Sequence, residues 1–308
     1  MDENLKGLEL NDMPHLIPAA QGVAALNDEK RLQHLRKEIW IGYTKAGQAL
    51  SKLETLFCHP ARQRMPNLLL VGPTNNGKSM VIQKFKRLKH STSVTMTDKE
   101  SIPVIHMQMP SEPNVHRFYG MLLSTIGAPY LSRMRISDLE TLTLKVLRQI
   151  GPRILVIDEV HNILAGSATS QREFLNLLRF LGNELQLPLV CVGTRDAYLA
   201  IRSDDQLENR FEPMVLPLWQ NDEEYLSLLA SFATVLPLRR PSNLHHPDLA
   251  HYILMQSEGI IGEIAAFLFR AAALAIETKD ESLSLALLKK ADYKSPSDRK
   301  RTFERLLA

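Results

Sequence analysis

The chain of 308 residues predicts an α/β fold: a parallel five-stranded sheet sandwiched by helices, followed by a small all-helical lid. Three observations carry that reading. Short, continuous apolar runs of strand length recur up to about Leu218. Helical patterns separate them one by one, and strand alternating with helix yields a parallel sheet. After Trp219 the apolar runs stop and only helical patterns follow.

Residues 1–27 open with MDENLKGLELNDMPHL, acidic and polar, and read as a flexible arm without the basic-then-apolar pattern of a secretory signal. Residues 28–57 carry Leu32, Leu35, Ile39, Tyr43, Ala46, Leu50, Leu53 and Leu56 on one helical stripe. This extension, taken as 28–60, is expected to belong to the sheet domain, 28–219. Pro60 and Pro66 bracket a basic connector, Ala61-Arg62-Gln63-Arg64. Asn67–Gly72 then forms an apolar run stopped by Gly-Pro, as a strand buried on both faces would. Pro103–Met109, Arg153–Ile157 and Leu187–Val192 repeat the pattern. A weaker fifth run, Phe211–Leu218, is interrupted by Pro213 and Pro217.

Between them Ser79–Leu88, Val115–Ile126, Ser137–Gln149 and Gln171–Leu185 have helical periodicity. Residues 221–236, 246–258, 260–277 and 281–291 do as well, and make a lid domain over 220–291. The basic tail, 292–308, reads as a solvated terminus or as a docking segment for an acidic or nucleic-acid partner.

Composition sets outer limits. Apolar residues at 44% and charged residues at 23% match a soluble globular protein, and no apolar run reaches the length of a membrane span. Cys58 and Cys191 make neither a disulfide framework nor a metal spacing, so a reducing cytoplasm is expected. A net charge of +3 permits nucleic-acid binding without arguing for it.

The strongest motif is Gly72-Pro73-Thr74-Asn75-Asn76-Gly77-Lys78-Ser79, with Met80 next, which fits G-x-x-x-x-G-K-[ST] between a buried strand and a helix. Backbone N–H groups of such a loop converge on phosphates, helped by the positive end of the following helix. Lys78 is placed to reach the β- and γ-phosphates of ATP, and the Ser79 hydroxyl to coordinate Mg²⁺. Eighty residues on from Lys78, Ile154-Leu155-Val156-Ile157 delivers Asp158 and Glu159 to a strand end. Asp158 can hold Mg²⁺ through water, and Glu159 can polarise the attacking water. Asp158-Glu159-Val160-His161 also has the form of a helicase box, but the chain holds no second set of helicase motifs. His161 is expected to start a helix beneath the site.

Gly193-Thr194-Arg195 puts a hydroxyl at the tip of a central strand, where Thr194 can sense the γ-phosphate. Arg210, in Leu207-Glu208-Asn209-Arg210-Phe211-Glu212, falls after a helix and before a strand. That is where an AAA+ subunit presents a finger to a neighbour's nucleotide, and the alternative expectation is a surface arginine paired with Glu208 or Glu212.

The words around these motifs are more discriminating. Arg64–Gly72 leading into Asn75–Ser79, Ile157-Asp158-Glu159-Val160-His161-Asn162 with the following Gln171-Arg172 helix, and Gly193-Thr194 followed by Asn209-Arg210-Phe211-Glu212 resemble the TniB/TnsC group of AAA+ transposition ATPases. Ile39-Trp40-Ile41-Gly42-Tyr43 also looks like the segment preceding the phosphate loop there, so the resemblance covers about residues 30–275. It implies an AAA+ P-loop NTPase fold and an ATP-dependent homo-oligomer, ring or filament, on double-stranded DNA. It also implies recruitment or stimulation of a DDE-type transposase, alongside a target-selector protein. One departure stands out: in Gly259-Ile260-Ile261-Gly262 a glycine occupies the place of the usual lid arginine, which suits slow turnover. Asn75-Asn76 replaces a more glycine-rich loop, tolerably, because Asn accepts left-handed backbone angles.

If the resemblance holds, DNA contacts belong to loops after the second strand: Ser111–Arg117, and Ser132-Arg133-Met134-Arg135 ahead of a Ser137 helix cap. Arg133 and Arg135 there can each meet a phosphate, in contacts blind to base sequence. Lys84, Lys86, Arg87 and Lys89 ring a helix and read as a solvated face or a subunit contact. Two other readings share the core motifs: a helicase-loader or clamp-loader-like ATPase, and a nucleotide-gated scaffold with little turnover.

Overall fold

The computed structural model describes residues 13–93 and 102–307. Helices α1 (Pro18–Ala24), α2 (Asp28–Leu35) and α3 (Thr44–Phe57) precede strand β1 (Asn67–Val71). Helix α4 (Lys78–Ser93) leads to β2 (Val104–Gln108), followed by α5 (Val115–Thr125), α6 (Ile136–Ile150) and β3 (Ile154–Asp158). A 3-10 helix (Val160–Ala165) and α7 (Ala168–Leu185) connect to β4 (Leu189–Gly193). Helices α8 (Arg195–Arg202) and α9 (Asp205–Glu208) then lead to β5 (Phe211–Val215). Beyond it lie α10 (Glu223–Val235), α11 (Pro247–Ser257), α12 (Ile261–Glu277), α13 (Leu285–Lys290) and α14 (Pro296–Leu307).

The chain forms two units. One runs from Lys45 to Pro217; the other joins the chain up to Thr44 with everything from Leu218 onward. In the first unit all strand pairs are parallel, in the order β2-β3-β4-β1-β5. Strands β1, β3 and β4 are buried at every position, which is why they read as continuous apolar runs. The edge strand β5 is exposed at Glu212, Pro213 and Val215, and Pro213, which lacks an N–H, is tolerated at an edge. Leu69, Ile105, Leu155 and Cys191 join Phe118, Phe174 and Leu178 in one core between sheet and helices. Phe118 and Phe174 meet edge to face at 5.2 Å.

The stripe over 28–57 does not form one helix. It breaks at Arg36, the C-cap of α2, and resumes only at Thr44. In between, the chain has no regular secondary structure, and Ile39, Ile41 and Tyr43 pack into the core of the second unit. Tyr43 meets Trp219 edge to face at 5.2 Å. The extension is thus divided: the chain up to Thr44 packs with the helices after Leu218, and α3 packs with the sheet.

The expected flexible arm is also revised from residue 13 on; residues 1–12 lie outside the described residues. Met13, Leu16, Ala20 and Ala24, spaced at helical intervals, bury together. Pro18 opens α1 at a position where its missing N–H costs nothing. Ile17 N donates to the Thr234 carbonyl at 3.0 Å and so anchors the segment. The basic tail is a helix, α14, with no buried residue. Its start is pinned by Arg299 on Glu263 (2.8 Å) and by the Ser297 N–H on Glu258 (2.8 Å), while Ala308 lies outside the described residues. Among the described residues no single helix is long and apolar enough to cross a membrane. The pair α11 and α12 has the length and composition but bends by 117°.

The second unit is locked by a buried cation. Arg31 is fully buried and donates to the Pro237 carbonyl (Nη2, 2.8 Å), to Asp28 (3.1 Å) and to both carboxylate oxygens of Glu281. Burial pushes the Glu281 carboxyl up, but hydrogen bonds from Arg31 and the Arg239 N–H outweigh it and hold the group below the ordinary glutamate value. Because its folded value lies below its unfolded one, Glu281 stabilises the fold above about pH 4.5, and this contribution is lost as pH falls through the folded value. Arg31→Ala leaves Glu281 without its main partner and is expected to destabilise this unit by about 3–5 kcal/mol. Both tryptophans, Trp40 and Trp219, belong to this unit. Denaturant melts followed by tryptophan fluorescence therefore read the loss directly.

Candidate functional site

The carboxyl ends of β1, β3 and β4 carry the site, where open parallel sheets place their ligands. From β1 the chain turns at Gly72, whose N–H donates to the Gly193 carbonyl at 3.2 Å. A Cβ at Gly72 would stand 2.7 Å from the Leu216 carbonyl oxygen, so only glycine lets the loop leave the strand here. Asn75 (φ 59°) and Gly77 (φ 82°) take left-handed angles, the first as its residue type permits. Asn76 is buried, and its amide donates to the carbonyls of Leu216 and Pro217, both at 2.8 Å.

Lys78 starts α4 and is 7% exposed. Its ammonium donates to the carbonyls of Gly72 (2.8 Å) and Pro73 (2.7 Å). Burial lowers its pKa, opposed by the charges of Asp158 and Glu159. The next residue, Ser79, donates its hydroxyl to Asp158 Oδ2 at 2.9 Å, joining the two motifs across the sheet end. Asp158 is 3% exposed. Burial raises its pKa, yet the neighbouring His106, the Glu159 N–H and the Ser79 hydroxyl outweigh it, leaving the carboxyl below its ordinary value. His106 Nε2 stands 3.8 Å from Asp158 Oδ2, too far for a hydrogen bond, and is buried without a hydrogen-bond partner.

Glu159 follows with a left-handed backbone (φ 58°, ψ 36°), a conformation that turns the chain sharply from β3 into the 3-10 helix. Its N–H donates to Asp158 Oδ1 at 2.9 Å, and its carboxylate stands 3.1 Å from His161 Nε2. His161 lies in the first turn of the 3-10 helix. Gly193 makes room for it: a Cβ there would fall 3.2 Å from His161 Nδ1 and 2.7 Å from the Ala197 Cβ.

Thr74 to Met80, Glu159, His161 and Thr194 line a single cleft of about 220 Å³. Thr194 is the N-cap of α8 and makes no side-chain cap hydrogen bond. The structure thus brings together the phosphate-loop residues, Asp158, Glu159 and Thr194. Strand pairing also brings His106 beside Asp158, while His161, expected at a helix start beneath the site, lies in the first turn of the 3-10 helix against Glu159.

Arg210 does not join this cleft. It sits at the opposite end of the sheet, where its carbonyl accepts from the N–H of Asn67, the first residue of β1. Its guanidinium donates to Asn183 Oδ1 at 2.7 Å. The suggested partners are engaged otherwise, Glu208 with Arg202 (3.6 Å) and Glu212 with Lys52. Arg133 and Arg135 are exposed on the loop before α6, and their side chains make no ion pair among the described residues. Ser137 is not the cap of α6. The helix begins at Ile136 with Arg135 in the cap position, so the Arg135 carbonyl accepts from Asp138 and Leu139 (3.1 and 3.0 Å). In the other loop Arg117 reaches Ser111 Oγ at 3.3 Å, and Asn114 caps α5.

The donor set suits a hard divalent cation. A hydroxyl and a carboxylate oxygen face each other at hydrogen-bond distance. That is the chemistry of Mg²⁺, which keeps most of its shell as water and phosphate.

The family described as "Bacterial TniB protein" matches residues 31–221. No curated protein matches the chain. Among solved structures, the Aeropyrum pernix ORC2 protein, in ADPNP-ADP complexes, is 14% identical with a TM-score of 0.61, covering 85% of this chain and 70% of that one. CDC6P from Pyrobaculum aerophilum gives 14% identity and a TM-score of 0.58, over 84% and 70% of the two chains. Drosophila ORC bound to DNA gives 11% and 0.56, over 86% and 64%. The fold is that of an AAA+ P-loop NTPase.

Proposed function

The chain belongs to the TniB family, and from that premise we propose that it is an Mg²⁺-dependent ATPase that assembles as a ring or filament on double-stranded DNA. There it recruits or activates a DDE-type transposase, together with a target-selector protein. The observation that carries the reading is the junction of the two motifs: the Ser79 hydroxyl 2.9 Å from Asp158, with Lys78 and Glu159 on either side in one cleft.

In this reading Gly72–Met80 wraps the phosphate chain. The cleft of about 220 Å³ lined by Thr74–Met80, Glu159, His161 and Thr194 receives the phosphates. The ammonium of Lys78 exchanges the Gly72 and Pro73 carbonyls for β- and γ-phosphate oxygens. Ser79 and Asp158 would hold Mg²⁺, Asp158 through water, and the ion would supply charge neutralisation at the phosphates. Glu159 takes the proton of the attacking water, Thr194 donates to the γ-phosphate, and Arg210 acts on a neighbour's nucleotide. His161, paired with Glu159, orients the base. ATP hydrolysis to ADP and phosphate, expected to be slow, drives release from DNA.

Duplex DNA as ligand draws support from the family and from the ORC neighbour bound to DNA. Arg133 and Arg135 are the contacts proposed here, since both guanidinium groups are open to solvent. The test is binding to non-specific duplex in ATP and in ADP across a salt series. Removing both arginines is expected to weaken binding equally on all sequences and to lower the salt slope by about two. Binding that ignores nucleotide and salt alike sinks the reading.

A further inference from the structure

The phosphate loop is tied to the exit of the edge strand β5 at two points. Gly72, at its start, packs so closely on Leu216 that a Cβ there would stand 2.7 Å from the Leu216 carbonyl oxygen and 3.3 Å from the Leu216 Cβ. Asn76, near its end, is 3% exposed, and its amide nitrogen donates to the Leu216 and Pro217 carbonyls, both at 2.8 Å. Neither carbonyl accepts a backbone N–H among the described residues, so the amide does for them what a neighbouring strand does elsewhere. Asn76 stands between Asn75 and Gly77, both with left-handed backbones, and their turn aims the side chain out of the loop. Pro217 is the last residue of the first unit, and the second unit resumes at Leu218.

In the proposed ATPase, phosphate changes the surroundings of both contacts. The Lys78 ammonium donates to the Gly72 and Pro73 carbonyls, and a phosphate chain offers it charged acceptors in their place. That exchange frees the carbonyl of Gly72, the residue packed on Leu216. Backbone N–H groups around Asn76 meanwhile take up phosphate oxygens. Closing the loop needs no donor that reaches out of it. The Asn76 amide nevertheless leaves the loop and crosses 140 residues of sequence to meet the connector after β5.

We propose that Asn76 is a positioning residue that transmits phosphate occupancy of the loop to the connector Leu216-Pro217, fixing the point where the chain passes into the second unit. The coupling rests on the ATP-binding reading and deepens it by naming the side chain that joins the site to the connector. An amide suits the task. It carries two N–H donors on one nitrogen, enough for both carbonyls at once, and no charge to compete for phosphate. A hydroxyl in the same place has one donor and holds only one of the two.

The experiment is amide hydrogen exchange on the full chain, read at Leu216, Leu218 and Trp219, since Pro217 has no N–H. Leu218 is the direct reporter, because its N–H shares a peptide group with the Pro217 carbonyl. In wild type, saturating ATP with Mg²⁺ is expected to slow exchange there by about tenfold, the effect of one or two ordinary hydrogen bonds. Inorganic triphosphate with Mg²⁺ is expected to do the same, since it fills the loop and brings no base. Asn76→Leu keeps the bulk without the donors. At nucleotide concentrations that saturate it, the slowing at the connector is expected to vanish while that within the phosphate loop remains. Asn76→Gln carries the amide on a longer arm and is expected to recover part of the effect, which a packing role would not. Wild-type connector exchange that ignores bound ATP, or responds to ATP but not to triphosphate, overturns the coupling and leaves the ATPase reading standing. Slowing that persists in Asn76→Leu overturns it as well. So does a leucine variant that binds no nucleotide at any concentration, since the amide then serves the loop alone. A wild-type chain that binds no ATP overturns the parent reading, and the coupling with it.

Discussion

Lys78→Ala is expected to weaken ATP binding by about tenfold to a hundredfold or more, the largest effect on affinity of any single substitution in this chain. The reasoning is electrostatic. The ammonium is 7% exposed and, without ligand, is satisfied only by the Gly72 and Pro73 carbonyls of its own loop. A phosphate chain offers it charged acceptors, and a hydrogen bond to a charged partner contributes about 1.5–3 kcal/mol. Alanine removes that contact and leaves two loop carbonyls without their donor. Titration with a fluorescent nucleotide measures the change. Arginine at this position should not rescue, because a longer planar fork does not fit a site built round a point charge. Unaltered affinity in Lys78→Ala would place nucleotide elsewhere.

Glu159→Gln separates binding from turnover. The amide keeps the size of the side chain but cannot take a proton, so hydrolysis is expected to fall by about 10²–10⁴ with nucleotide affinity preserved. Assemblies formed with ATP should then persist on DNA where wild type releases. The geometry sharpens the expectation, since Glu159 is held by a left-handed backbone and stands 3.1 Å from His161. A nucleotide-gated scaffold with little turnover predicts the opposite result: the variant and wild type would be indistinguishable in both rate and lifetime. Single-turnover hydrolysis and the decay of DNA-bound complexes after an ADP chase decide between them.

How much of this was legible in the sequence depends on whether a feature is local. β1, β3 and β4 were plain because burial on both faces leaves an uninterrupted apolar run. β5 was faint because an edge strand tolerates exposed side chains and Pro213. The phosphate loop was legible because its chemistry constrains neighbouring residues. Features made by tertiary contact were hidden. The stripe over 28–57 looked like one helix, yet Ile39, Ile41 and Tyr43 follow the core of the other unit and break it. The arm looked polar because its buried stripe, Met13, Leu16, Ala20 and Ala24, is half alanine and lies among polar residues. Ser137 has the type of a helix cap, but α6 starts one residue earlier. His106 lies in the middle of β2, and only strand pairing with β3 brings it toward Asp158. The tie from Asn76 to Leu216 and Pro217 joins distant stretches of chain, so no local pattern pointed to it.

The central claim is nucleotide-gated assembly on DNA, and negative-stain imaging tests it most directly. Purified wild-type chain would be imaged with non-specific duplex in ATP, in ADP and in a slowly hydrolysed ATP analogue, at low and moderate salt. The account predicts rings or filaments coating the duplex in ATP and the analogue, and bare duplex in ADP. Assemblies that form equally in all three states, or no DNA-bound protein in any of them, would contradict it.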